Sequence, residues 1–135
     1  MFEAYNITST TYTINQPVAF TTTRYMDCRV RLNNSNTIYI NTPGCYYVHF
    51  NAIGAASAAN TEVTIQLYRN GVAVPGVVTT ATTVAEANPQ TLSMSTIVNV
   101  LPSCAAICNN ANLQFVVISA DGIITTADVV IFRLK

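Results

Sequence analysis

The chain has 135 residues, with six basic and six acidic side chains and a formal net charge of zero. That balance excludes the contiguous basic face that nucleic-acid binding needs to displace counterions, and a charge-driven membrane patch fails for the same reason. Charged residues make up 9% and hydrophobic residues 50% of the chain, against roughly 25% charged in typical soluble domains, so little charge is available to cover an outer surface.

The 19 threonines outnumber all Asp, Glu, Lys and Arg together. Thr is β-branched and fits a pleated, half-buried surface, so its abundance points to strands. No helical stripe of ten or more residues occurs. Glu3–Tyr12 and Pro17–Tyr25 are Thr-rich and extended, and Cys28–Leu32 alternates until Asn33-Asn34-Ser35-Asn36 ends it. Thr37–Asn41 is a strand closed by Thr42-Pro43-Gly44, and Cys45–Ile53 follows as a strong strand. The small-residue stretch Gly54–Asn60 then separates it from Glu62–Arg69, where Val63, Ile65 and Leu67 alternate with polar partners. Asn70-Gly71 marks a tight hairpin, because both positions tolerate positive φ. Val72–Thr80 returns, with Pro75-Gly76 indicating an edge or bulge. Thr82–Pro89 reads as loop, Gln90–Leu101 as strand, and Pro102–Asn110 as a cysteine-bearing loop. Asn112–Ser119 and Thr126–Leu134 close the chain, separated by a second hairpin signal at Asp121-Gly122.

Eight to ten short strands with turns every 8–12 residues or so predict an all-β, antiparallel sandwich or barrel. There is no linker, composition break or internal repeat, so residues 1–135 read as one domain. A surface so poor in ions predicts cover by copies of the chain itself.

Thr42-Pro43-Gly44-Cys45-Tyr46-Tyr47-Val48-His49-Phe50 resembles the third-strand signature of the complement-one-q/tumour-necrosis-factor jelly rolls. Ile65-Gln66-Leu67-Tyr68-Arg69-Asn70-Gly71 looks like the hydrophobic-x-Leu-x-x-Asn-Gly hairpin of that family, and Val130–Leu134 resembles its last strand. The likeness runs from about Thr37 to Lys135 and is nearer to compact bacteriophage forms of the fold, found in head fibres, capsid decoration proteins and tail tips. It implies a jelly-roll sandwich and a trimer packed around a three-fold axis through aromatic and aliphatic residues. Tyr46, Tyr47, Phe50, Phe115 and Phe132 are then candidates for core or axial packing, with the face of each left open.

The residues for chemistry are sparse. His49 is the only histidine and lies in a strand without a Ser elbow or an adjacent carboxylate, so it reads as a structural or interface residue. The six carboxylates (Glu3, Asp27, Glu62, Glu86, Asp121, Asp128) form no local pair of the kind glycosidases place across a sugar. Asp121 reads as a turn residue, and a calcium site between Asp121 and Asp128 is the remaining cation reading. Cys28, Cys45, Cys104 and Cys108 allow three pairings. Cys104 and Cys108 mark a loop that is either disulfide-linked or free, with a spacing unlike a zinc knuckle. The sequons at Asn6 and Asn33 are expected to be accidental.

The expectation is therefore a non-enzymatic, cofactor-free homotrimer acting as a virion structural or adhesion module. Its partners would be itself, other virion proteins such as capsid or fibre, and host-surface glycans. No nucleic acid and no membrane insertion are expected. With no basic-plus-apolar leader at Met1–Tyr5, synthesis is expected in a host cytoplasm and residence in the virion. The alternatives are a bacterial surface or spore-coat protein of the same fold and, less favoured, a polysaccharide-degrading enzyme.

Overall fold

The computed structural model describes residues 1–58, 60–83, 89–101 and 111–135. Among them are eleven strands and no helix: β1 Phe2–Asn6, β2 Thr10–Tyr12, β3 Thr22–Tyr25, β4 Val30–Asn33, β5 Thr37–Ile40, β6 Gly44–Ala56, β7 Thr61–Arg69, β8 Val72–Thr83, β9 Gln90–Val100, β10 Ala111–Val117 and β11 Gly122–Arg133. They make two antiparallel sheets packed face to face. The six-stranded sheet runs β3-β1-β11-β6-β9, with β2 also on β11, and the five-stranded sheet runs β4-β5-β10-β7-β8.

The period-2 alternation of β6 sets the inner face. Tyr46, Val48, Phe50 and Ala52 are buried while Tyr47, His49, Asn51 and Ile53 face outward. Between the sheets, Phe50 stacks on Phe115 with centroids 4.5 Å apart, and Phe20 meets both edge-on at 6.3 and 6.2 Å. Phe20 comes from the segment between β2 and β3, which leaves the six-stranded sheet and runs along β10. There Asn15 N–H donates to the Val117 carbonyl and Val18 N–H to the Phe115 carbonyl. One segment thus staples the two layers and supplies the third ring of the core.

The Asn70-Gly71 hairpin joins β7 and β8 with φ of 53° and 80°, the pair of positive values a type I′ turn needs. Pro75 and Gly76 sit on the edge strand β8, beside a register shift between Gln66 and Tyr68. Three expectations need correction. Glu3–Tyr12 is two strands, because the Asn6 side chain accepts the Thr8 N–H at 2.9 Å and turns the chain. Gly54–Ala56 belongs to β6 rather than to a loop. A Cβ at Gly54 would lie 2.7 Å from Ile124 Cδ1 and 2.8 Å from the Ile123 carbonyl, so glycine permits the close crossing of β6 and β11. Asp121-Gly122 is no hairpin: β10 and β11 lie in different sheets, and the turn carries the chain across the sandwich. The Pro102–Asn110 loop, with Cys104 and Cys108, lies outside the described residues, as does most of Thr82–Pro89.

Gly44 opens β6 at φ +151°, and a Cβ there would meet the Lys135 carbonyl at 2.8 Å. Gly44→Ala is expected to destabilise by roughly 1–3 kcal/mol, a fall in Tm of about 4 °C per kcal/mol. Thermal unfolding with an unchanged Tm would show that the Pro43-Gly44 entry tolerates a side chain.

Candidate functional site

The outer face of the six-stranded sheet gathers the side chains that the core leaves over. Registers across β1, β11, β6 and β9 set them in rows. Phe132 stands opposite Tyr47, and Tyr47 opposite Ile97. In the next row Glu3, Val130, His49 and Ser95 stand abreast, and in the row after it Tyr5, Asp128, Asn51 and Ser93.

The first row is apolar and open. The Tyr47 and Phe132 rings pack 5.0 Å apart, and Tyr47 lies parallel to the His49 ring at 6.4 Å. Ile97 is 61% exposed, Leu134 50% and Phe132 38%. Of the five aromatic candidates, the fold therefore separates two groups. Tyr46, Phe50 and Phe115 lie in the core, and Tyr47 and Phe132 lie together on the outer face. Tyr46 donates its hydroxyl to the Thr42 carbonyl at 2.7 Å, and burial raises its pKa above the usual tyrosine value.

The next two rows are polar. A bulge in β3, where the pairing with β1 shifts between Glu3 and Ala4, makes Arg24 the extra residue. Its guanidinium bonds Glu3 Oε1 at 2.8 Å and lies 4.6 Å from the centroid of the Tyr5 ring. Glu3 is nearly buried in consequence. Asp128 is the diagonal neighbour of Glu3 across the β1–β11 pairing, so the two carboxyls share one stretch of the outer face. Burial first, and the Glu3 charge second, raise the Asp128 pKa above the usual carboxylate range. Asp128 Oδ1 and His49 Nδ1, diagonal neighbours on β11 and β6, are buried without a hydrogen-bond partner.

A raised carboxyl pKa means that Asp128 costs nothing below its unfolded value, near pH 4 or so, and weakens the fold as pH rises through its folded value. Asp128→Asn removes that loss while keeping the size of the side chain. A higher Tm is expected at about pH 7, with the advantage gone at about pH 3. A lower Tm at neutral pH would mean that the ionised carboxylate supports the fold.

Sequence reading missed this cluster, since Glu3, Arg24, His49 and Asp128 come from four separated strands. Among the described residues, no group of three or more His, Cys, Asp or Glu is placed to hold a metal ion. Asp121 accepts the Ile14 N–H at 3.2 Å, which ties the turn before β11 to the segment after β2. Cys28 is exposed and Cys45 half-buried, both as free thiols. On the other sheet, Arg31, Leu32, Asn33 and Tyr39 line an open cleft of about 370 Å³.

No protein-family model and no curated protein sequence matches the chain. Solved structures do. The globular domain of zebrafish complement 1qA protein is 11% identical, with a TM-score of 0.71 over 99% of this chain and 96% of that one. The Eiger tumour necrosis factor from S. frugiperda is 12% identical, with a TM-score of 0.70 over 99% and 93%. The fold is thus the jelly roll of the complement-one-q and tumour-necrosis-factor structures.

Proposed function

We propose that the protein is a non-enzymatic, homotrimeric structural module whose protomers pack through the outer face of the six-stranded sheet. The observation that carries this reading is the open apolar row of Tyr47, Phe132 and Ile97, extended by Leu134, on a chain with only 9% charged residues. Exposed contiguous apolar surface is a mark of association. A three-fold arrangement is what the likeness of Thr42–Phe50 and Ile65–Gly71 to the complement-one-q/tumour-necrosis-factor family implies.

An enzymatic reading gains little from the one carboxyl pair among the described residues. Glycoside hydrolysis places its carboxyls about 5–10 Å apart across a bound sugar. Glu3 and Asp128 instead sit as diagonal neighbours on a sheet face, with Glu3 paired to Arg24.

We place the trimer in a virion, as a capsid decoration, head-fibre or tail-tip protein, on the likeness to compact bacteriophage forms. The five-stranded sheet is then the face left for adhesion. Its cleft is lined by Tyr39, Arg31 and Asn33, residue types that suit a host-surface glycan. Electron microscopy of purified particles tests the setting. A trimeric knob at a symmetric lattice position supports it, and absence of the protein from every particle rejects it.

A further inference from the structure

The polar rows lie on the same face as the apolar one, so whatever covers Phe132 and Tyr47 closes over Glu3, Asp128 and His49 as well. We propose that association through this face is proton-linked: each protomer takes up a proton at Asp128 as a second copy covers it, so assembly tightens at mildly acidic pH and loosens as pH rises. The inference rests on the homotypic reading above and assigns that interface a regulator.

Charge counting carries it. The groups facing Asp128 are Glu3 and Tyr5 on β1, Arg24 on β3 and His49 on β6, with Tyr25 opposite Glu3 at the sheet edge. β9 contributes only Ser93 and Ser95 to these rows. Arg24 is committed to Glu3 by a 2.8 Å ion pair, which leaves an ionised Asp128 without a cation of its own. Covering an unpaired charge with protein is costly, so the covered state favours a neutral cluster.

The neutral arrangement has the proton on Asp128, whose Oδ1 is buried without a hydrogen-bond partner. It holds one more proton than the ionised cluster, which sets the direction of the linkage. The elevated pKa of Asp128 already in the protomer agrees in sign. A group of this kind contributes most at low pH, and its contribution is lost as pH rises through its folded value.

Sedimentation equilibrium of the full chain from about pH 5 to about pH 8.5, at constant ionic strength, tests this. Protomer affinity is expected to fall by up to about tenfold per pH unit over part of that range. Asp128→Asn is expected to assemble as tightly at alkaline pH as the unaltered protein does at pH 5 or so, without that fall. Dilution calorimetry of the unaltered protein in two buffers of different ionisation enthalpy reads the linkage with no substitution. Release approaching about one proton per protomer on dissociation is expected. No proton release, or the same pH slope in Asp128→Asn, overturns the inference. A Phe132→Asp control separates the two claims. If that variant still assembles at every pH, the face itself is misassigned. If it dissociates while the unaltered protein shows no pH slope, only the proton linkage fails.

Discussion

Phe132→Asp is expected to turn the assembled protein into well-folded protomers. Phe132 is 38% exposed in the protomer and packs against Tyr47 from the outer side of β11. A carboxylate there is solvated as long as the face is free, so the sandwich itself should fold with its β-sheet circular dichroism intact. On assembly the same carboxylate is desolvated against aromatic and aliphatic neighbours, with Arg133 alongside it in sequence but committed to the Pro43 carbonyl at 3.0 Å. An uncompensated buried charge costs several kcal/mol, and a symmetric trimer meets that cost at every subunit contact. Dissociation by at least about a hundredfold in concentration, some 2.7 kcal/mol, is the expected scale. Light scattering reads it. Unchanged mass in a folded variant would move the interface elsewhere.

The second large effect lies in the core. Phe50→Ala removes the ring that stacks on Phe115 at 4.5 Å and meets Phe20 at 6.3 Å, from a site with no solvent exposure. The neighbours come from both sheets and from the stapling segment, so no single movement fills the void. The expected loss is about 3–5 kcal/mol, a large share of the roughly 5–15 kcal/mol that holds a domain of this size. Urea unfolding should show a lower midpoint with an unchanged slope. A loss under about 1 kcal/mol would mean that the three rings do not form the joint between the layers.

The same pair of residues shows what alternation in a sequence can and cannot give. Tyr46-Tyr47-Val48-His49-Phe50 declares two faces by its period, and Asn70-Gly71 declares a hairpin, because both signals are local. Which face is inside is not local. It follows from Phe20 and Phe115, which meet Phe50 only once the sheets are stacked. The Asp121-Gly122 turn looks like a hairpin in sequence because turn chemistry does not record which sheet the next strand enters.

The polar cluster was hidden for a further reason. Glu3 and Asp128 lie near opposite ends of the chain and become diagonal neighbours only through the pairing of Glu3 with Val130 and Tyr5 with Asp128. Arg24 reaches Glu3 only because a bulge makes it the unpaired residue of β3. The sole histidine could be read as an interface residue from its strand setting, but its unpartnered Nδ1 beside Asp128 needed the β6–β11 register. Scarcity of charge, by contrast, is visible in composition alone, and it is what first pointed to self-association.

The most direct test of that self-association is the mass of the unaltered protein by multi-angle light scattering at micromolar concentration and mildly acidic pH. Three times the 14.6 kDa protomer is the expected result. A stable 14.6 kDa species under those conditions contradicts packing through the Tyr47–Phe132 face.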